Sequence, residues 1–477
     1  MLFNSVEFLL FFPVVVVIYF LLNHRYRWIM LLLASYYFYM SWRPEYIILI
    51  IVSTLIDYFA ALQMGRAITP QRKKIFLLLS LFTNLGLLFT FKYFNFFNDS
   101  VRAAFNTFNI FYDVPAFQML LPVGISFYTF QTMSYSIDVY RGIKEPERHL
   151  GVFALYVSFF PQLVAGPIER STTFLPQLFE KHEFNAARAV SGLKQMLWGF
   201  FKKLVVADRL ATYVDAVYNN PQEHSGLSMI LATVFFAFQI YCDFSGYSDI
   251  AIGGARILGF DLMENFKRPY FAKSTKDFWA RWHISLSTWF RDYVYIPLGG
   301  NRVVKWRWYY NLFITFLISG LWHGANWTFI FWGALHGVYL VLAIWFTQPV
   351  SRISGLLGLK SESGLNTIIH VVWTFTLASF AWIFFRANQI SDAFLIIEKI
   401  FTFQGPVFLS NLSSVAYGIF GILLLLLVEF QHEYGFFNIK LFNNTNVVVR
   451  YSSYAAVVLL ILLIGVFDGS QFIYFQF

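Results

Sequence analysis

The chain has 477 residues, of which 58% are hydrophobic, 21% aromatic and only 13% charged. A soluble domain usually carries about 25% charged residues, so this composition excludes an ordinary soluble globular protein and indicates an integral membrane protein embedded in a lipid bilayer. The formal net charge of +9 comes from lysines and arginines dispersed between apolar stretches. That distribution argues against a nucleic-acid partner and favours basic loops at a membrane surface.

The apolar stretches predict a polytopic helical protein. A helical crossing of the bilayer needs roughly 20 residues, and the chain has enough apolar stretches for about 10 to 13 crossings. The predicted spans are 6–22, 28–42, 46–63, 75–92, 117–138, 150–166, 191–215, 227–252, 309–322, 326–346, 367–386, 408–429 and 451–467. Because no repeat or separable domain is visible, we expect one all-α transmembrane domain over residues 1–477.

The charged loops predict an orientation. In the first half of the chain the basic residues follow spans one, three and five: Arg25 and Arg27; Arg66, Arg72, Lys73 and Lys74; and Arg141, Lys144 and Arg148. The positive-inside rule then predicts that these loops lie in the cytoplasm and that the amino terminus is extracytoplasmic. The membrane is expected to be the cell membrane, meaning the inner or plasma membrane. The first apolar run, 6–22, lacks the features of a cleavable signal peptide, so we expect it to remain as a span.

Residues 253–308 form an unusual segment, too polar for a simple crossing yet rich in aromatic side chains. We expect it to lie in the interface or to re-enter the bundle. Within it, residues 277–295 predict one helix, with His283 on the same face as Trp279 and Trp282, and Ser285 on a more polar face. A single buried histidine of this kind is also compatible with a purely structural hydrogen bond.

A second histidine, His323, lies between two apolar runs. Gly324 permits a close backbone approach, and we expect Asn326 to hold an imidazole tautomer. His336 follows thirteen residues later. On one regular helix His323 and His336 would be about 220° apart, which favours a structural or pathway role for His336.

The stretches around these histidines resemble a known family. They are Phe278–Ser287, Phe290–Tyr293 and Leu321–Gly324, with Phe160–Arg170 and Asp243–Asp249 elsewhere in the chain. Together they resemble the membrane-bound O-acyltransferase (MBOAT) family. Tyr295–Arg302 and Trp332–Gly337 are similar to the branch that includes the alginate O-acetylation membrane protein.

The resemblance implies that His323 is the family's near-invariant histidine and that His283 is the second active-site position. It also implies a bundle around a central funnel or tunnel, which donor and acceptor enter from opposite membrane faces. The donor would be acetyl-CoA or an acyl carrier thioester, with no permanently bound cofactor. The acceptor would be an exported or cell-wall polysaccharide, such as peptidoglycan or teichoic acid, reached directly or through an extracytoplasmic SGNH-type transferase.

Transfer of an acyl group from a thioester to a hydroxyl needs a base for the hydroxyl proton and a donor for the developing oxyanion. By resemblance, His323 is the general base, and His283 positions a substrate or polarises the thioester carbonyl. We expect the indoles of Trp279, Trp282 and Trp322 to line the tunnel and exclude water.

Other chemistries fit less well. Gly-x-Ser-x-Gly is absent, which favours direct transfer, and no metal site is expected because His323 and His336 lack the i, i+4 spacing. Arg291 and Asp292 are compatible with a structural pair. Alternatively, Arg291 is part of a basic tunnel entrance, here called the basic mouth, that binds a phosphorylated donor. The other members of the basic mouth are Lys267, Arg268, Lys273, Lys276 and Arg302. A cytoplasmic loop that follows the positive-inside rule explains these charges equally well.

Two functions from other classes remain open at this point. A multi-span transporter or channel with a histidine proton relay would explain polar side chains at membrane depth, although the paired repeats of many transporters are not evident. A non-catalytic membrane scaffold would leave His283 and His323 without a purpose. The sequence therefore favours a membrane O-acyltransferase for polysaccharide O-acetylation.

Overall fold

The computed structural model describes residues 1–117, 122–164, 166–356, 364–409, 411–435, 442, 444–467 and 472–473, of which residues 347–356 are described by their backbone only. The described residues are 77% helical and contain no strand. Contacts divide the chain into two compact units, the first comprising Met1–Met196 with Ile250–Met263 and the second Leu197–Asp249 with Glu264–Phe477. The prediction of a single domain stays a prediction.

The described residues of the first unit form mainly nine helices: α1 (Val6–Leu21), α2 (His24–Met40), α3 (Ile47–Arg66), α4 (Pro70–Leu88), α5 (Phe94–Thr107), α6 (Ile125–Arg141), α7 (Leu150–Ser158), α8 (Phe160–Leu163) and α9 (Ser171–Gln177). Its core contains the Asp57 carboxylate, which accepts hydrogen bonds from Ser80 and Asn84 on α4. A buried carboxylate without such donors would be costly, so this network holds α3 against α4.

Two helices, α10 (Ala186–Phe200) and α12 (Gly226–Leu258), contribute residues to both units. The remaining helices belong to the second unit: α11 (Asp208–Tyr218), α13 (Thr275–Arg281), α14 (Ile284–Phe290), α15 (Lys305–His323), α16 (Trp327–Leu356), α17 (Gly364–Arg386), α18 (Ile390–Thr402), α19 (Leu412–Tyr434) and α20 (Val447–Ile464). Most of the predicted spans overlap these helices, but the span 150–166 is broken after Ser158. Residues 118–121 of the predicted span 117–138 lie outside the described residues, and α6 begins only at Ile125. The span 191–215 covers α10, a π-helical stretch and α11.

Seven helices of the described residues are long and apolar enough to cross a membrane. They are Pro44–Arg66, Pro70–Thr107, Gly226–Leu258, Trp327–Phe346, Gly364–Arg386, Leu412–Tyr434 and Val447–Ile464. Several carry large exposed apolar side chains, such as Phe82 and Leu463, which suit contact with lipid. The protein is therefore a polytopic helical membrane protein, and the count of 10 to 13 crossings stays a prediction.

The helices α15 and α16 form an antiparallel hairpin closed by residues 324–326. A Cβ atom at Gly320 would lie 2.3 Å from the carbonyl oxygen of Phe329, and one at Gly333 would lie 2.4 Å from that of Phe316. Only glycine permits this approach of the two backbones. The hairpin brings His323, at the end of α15, beside the first turns of α16.

The prediction of one continuous helix over residues 277–295 is wrong. The segment is split into α13 and α14, and the left-handed backbone of His283, with φ of 43°, separates them. A non-glycine residue rarely adopts this conformation, because its Cβ atom is crowded by the carbonyl oxygen. A π-helical turn, Arg291–Tyr295, follows α14 directly.

Candidate active site

His283 is placed by the break between α13 and α14. The Trp282 N–H donates to the carbonyl of Phe278, which ends α13, and the Ile284 N–H donates to the carbonyl of Asn265 at 2.9 Å. The second hydrogen bond attaches the break at His283 to Asn265, which lies in the loop after α12. Strained backbone of this kind is concentrated at functional sites, where surrounding contacts hold it in place.

Asn265 determines the tautomer of His283. Its Oδ1 lies 3.1 Å from His283 Nδ1 and also accepts hydrogen bonds from the Ser285 backbone N–H and hydroxyl. Since a backbone N–H can only donate, the Asn265 atom in this position is the oxygen. His283 therefore carries its proton on Nδ1, and Nε2 carries the lone pair.

The surroundings of His283 keep it neutral. Its side chain is completely buried, with Phe244 of α12 perpendicular to the ring at 4.5 Å between centroids. Burial lowers the pKa of His283 from 6.5 to about 3, because the charged imidazolium loses its hydration. A neutral imidazole with a defined lone pair is suited to accept a proton or a hydrogen bond from a substrate.

The fold brings the two predicted histidines together. The Trp322 ring lies 6.2 Å from the His283 ring and 4.9 Å from the His323 ring, measured between centroids. Both imidazoles and this indole are buried. His283 and His323, which are 40 positions apart, thus contact the same indole ring. The sequence pattern did not predict this proximity.

His336 joins the same cluster through Trp332. The Trp332 ring lies 4.9 Å from both His323 and His336, and Trp279 lies 4.9 Å from His336 on α16. His323 and His336 do not lie on one regular helix with about 220° between them, because they belong to the two different helices of a hairpin. Among the described residues neither ring nitrogen of His336 has a hydrogen-bond partner, although the side chain is buried.

Several predicted side chains have other positions. The amide of Asn326 binds the N–H of Thr328 and the carbonyl of Asn388, so it caps α16, and the prediction that it holds an imidazole is wrong. The side chain that orients an imidazole is Asn265, which accepts the hydrogen bond of His283 Nδ1. Ser285, predicted on a polar face, is buried against Asn265.

The charged residues near the segment are largely paired. Arg291 and Asp292 form an exposed ion pair at 2.8 Å, outside the aromatic cluster. Arg268 and Arg281 both bind the carboxylate of Glu433 on α19, at 2.7 and 2.8 Å. Of the expected basic mouth, Arg268 and Arg291 are therefore neutralised by carboxylates. The other four members are exposed: Lys267, Lys273, Lys276 and Arg302.

The cluster has residues that sequence reasoning did not select. Trp282 packs on Trp382 of α17 at 4.9 Å, and Trp332 stacks on the same indole at 5.7 Å. Asn265 lies 18 positions before His283, a separation with no helical or strand periodicity to reveal it. Trp332 stands out in the sequence only as part of the motif Trp332–Gly337, and Trp382 cannot be distinguished there from the many other aromatic residues.

The arrangement is a buried aromatic site with three imidazoles. Within the described part of the chain, no group of three or more His, Cys, Asp or Glu side chains has the arrangement of a metal site. Buried imidazoles can take part in proton transfer and hydrogen bonding, and the aromatic side chains around them limit the access of water, which suits transfer of a hydrolysable acyl group.

Comparison with known proteins agrees with this chemistry. The sequence profile of the membrane-bound O-acyltransferase family matches residues 149–386, which contain all three histidines. The chain is 40% identical over 405 residues to the probable alginate O-acetylase AlgI of Pseudomonas aeruginosa, covering 84% of this chain and 75% of that one.

Two further relatives differ in their acceptors. The peptidoglycan O-acetyltransferase of Helicobacter pylori is 35% identical over 448 residues, or 87% of this chain and 82% of the relative. The teichoic acid D-alanyltransferase of Bacillus subtilis is 28% identical over 291 residues, or 57% and 71%. These similarities leave the transporter and scaffold interpretations unsupported. The chain belongs to the membrane-bound O-acyltransferase family and is an O-acyltransferase that resembles alginate O-acetylases.

Proposed function

We propose that the protein transfers an acetyl group from a cytoplasmic thioester to a hydroxyl group on the extracytoplasmic side, for O-acetylation of an exported or cell-wall polysaccharide. The observation that carries this proposal is the contact of His283 and His323 with one buried indole, Trp322. Two imidazoles in a dry site can manage the proton of an attacking hydroxyl without exposing the thioester to water.

His323 is the proposed general base. It takes the hydroxyl proton as the oxygen attacks the thioester carbonyl, and the thiolate leaves when the tetrahedral intermediate collapses. His283 then has the positioning task, because its Nε2 lone pair accepts a hydrogen bond from a hydroxyl, whereas a neutral ring in this tautomer has no Nε2 proton to donate to a carbonyl.

The aromatic cluster supplies candidates for stabilising the oxyanion. The indole N–H groups of Trp279 and Trp332 are buried and have no hydrogen-bond partner among the described residues. Such donors stabilise negative charge more strongly in a dry site than in water. With His336 beside them, they support a tunnel through this cluster in which polar substrate atoms are bound.

The proposed donor, acceptor and partner rest on the chemistry of acyl transfer and on the similarity to known acyltransferases. Acetyl-CoA or a carrier thioester is the proposed donor, and the exposed Lys267, Lys273 and Lys276 can attract its phosphates. The names of the relatives support a polysaccharide acceptor, which an SGNH-type partner transferase would modify. We place the protein in the cell membrane with its amino terminus outside and the basic loops in the cytoplasm.

The test is acyl transfer by purified protein in nanodiscs, with labelled acetyl-CoA and candidate polysaccharides. His323→Ala should lower kcat by about 100- to 10,000-fold, the usual contribution of a general base. His370→Ala makes the same change on α17 and should retain activity, because among the described residues no ring contact joins His370 to the cluster. Transfer at the wild-type rate by folded, inserted His323→Ala protein would refute the assignment of the base.

A further inference from the structure

The first unit contains a cavity of about 200 Å³ that has no part in the proposed reaction. It lies where α2 and α7 begin, and its basic or titratable lining residues are His24, Arg25, Arg27 and His149. Glu180 is the one carboxylate in the lining. Ligand pockets for drug-sized molecules are usually about 300–1,000 Å³, so this cavity suits a group smaller than a nucleotide.

Arg27 is the strongest indication of the ligand's charge. Its side chain is only 8% exposed, and its guanidinium lies over the Tyr19 ring at 4.7 Å. The Nε and Nη1 groups donate to the carbonyls of Leu22 and His182, which leaves further N–H donors on the fork. Among the described residues no carboxylate lies within ion-pair distance of Arg27. Since buried charges in proteins are normally paired, the cavity suits an anion.

The helices that border the cavity also favour the binding of an anion. Neither α2 nor α7 has an acidic residue in its first turn, and the positive ends of both helix dipoles lie at the cavity. His149 accepts the Val152 N–H on Nδ1 at 3.1 Å, so its neutral ring carries the proton on Nε2. The cavity is therefore lined by N–H donors from arginine and histidine.

We propose that this cavity binds a phosphate group through Arg25, Arg27 and His149. Phosphate matches the planar donor fork of arginine, and its small size matches the volume. The group is either free phosphate or the headgroup of an anionic phospholipid, since both present the same oxygens. The site is independent of the acyl-transfer site, so its test does not depend on the proposed function.

The experiment measures thermal unfolding of the full-length protein in two media. In detergent, inorganic phosphate is titrated against chloride at equal ionic strength. In nanodiscs, phosphatidylglycerol is compared with phosphatidylcholine. We expect a saturable rise in the unfolding midpoint with one of the two phosphate sources, and the medium in which it occurs identifies the source.

Arg25→Gln is the informative variant, because Arg25 is exposed and its backbone N–H is already held by Asn23. It should raise the half-saturating phosphate or lipid concentration by about tenfold. Arg72→Gln is the matched control: Arg72 lies in the first turn of α4, its N–H donates to the Thr69 hydroxyl, and it is not part of the cavity. The absence of any saturable rise, an unchanged response of Arg25→Gln, or an equal loss in Arg72→Gln would overturn the proposal.

Discussion

At the scale of single residues, the chemistry depends on how His283 is held. A left-handed backbone conformation and the Asn265 side chain together give its ring one orientation and one tautomer. The Asn265 amide is itself held, since its Nδ2 donates to the hydroxyl of Ser248. Each of these constraints costs conformational freedom, which is typical of a preorganised site.

Asn265→Asp tests this positioning role. A carboxylate in contact with Nδ1 would favour the imidazolium and raise the pKa of His283. Because a protonated ring has no lone pair on Nε2 to accept the hydrogen bond of the substrate hydroxyl, the acid limb of the pH–rate profile should move to higher pH. Asn219→Asp makes the same change at the surface, and its profile should match the wild type.

Asn265→Leu removes the acceptor altogether. We expect kcat to fall by about 100-fold, as for a catalytic group misplaced by about 1 Å, with a smaller change in KM. If kcat and the pH profile of both Asn265 variants stayed at wild-type values, Asn265 would not position His283.

At the scale of helices, the α15–α16 hairpin assembles the cluster. Its glycines let the two backbones meet, so that His323 from one helix and Trp332 and His336 from the other share a single packed layer. The motif Trp332–Gly337 thus combines a contact residue, a close-packing glycine and a buried histidine in six positions.

Gly333→Ala tests the hairpin. The added methyl would lie 2.4 Å from the carbonyl oxygen of Phe316, so α15 and α16 must separate. We expect a loss of about 1–3 kcal/mol in stability, measured as a lower unfolding midpoint, and reduced acyl transfer.

The matched control for Gly333→Ala is Gly86→Ala, in α4. A Cβ atom there meets no other atom within 4 Å, so alanine should stabilise its helix by about 0.5–1 kcal/mol. Similar midpoints for the two variants would show that the hairpin does not depend on close backbone approach.

At the scale of the whole chain, buried ion pairs connect distant segments of the second unit. Lys203 Nζ lies 2.8 Å from Asp208 and 2.7 Å from Asp243, and all three side chains are buried. Asp243 also accepts the backbone N–H of Ile473 at 2.7 Å. One cation therefore holds α11, α12 and the end of the chain together.

Lys203→Met should destabilise the protein by about 3–5 kcal/mol, because two carboxylates would remain buried without a cation. The measurement is the unfolding midpoint in detergent. Lys181→Met removes an exposed partner of Glu183 and should leave the midpoint unchanged. An equally small effect of Lys203→Met would show that the buried pairs are dispensable.

The sequence by itself determined the membrane class, the all-helical fold class and the acyltransferase family, because apolar runs of membrane length and contiguous motifs are local properties of the chain. It also selected His283 and His323. Only the tertiary structure decided that both rings contact Trp322, that His283 interrupts a helix, and that Asn265 rather than Asn326 orients an imidazole. These features arise from side chains far apart in the sequence, and no periodicity specifies which of them will meet.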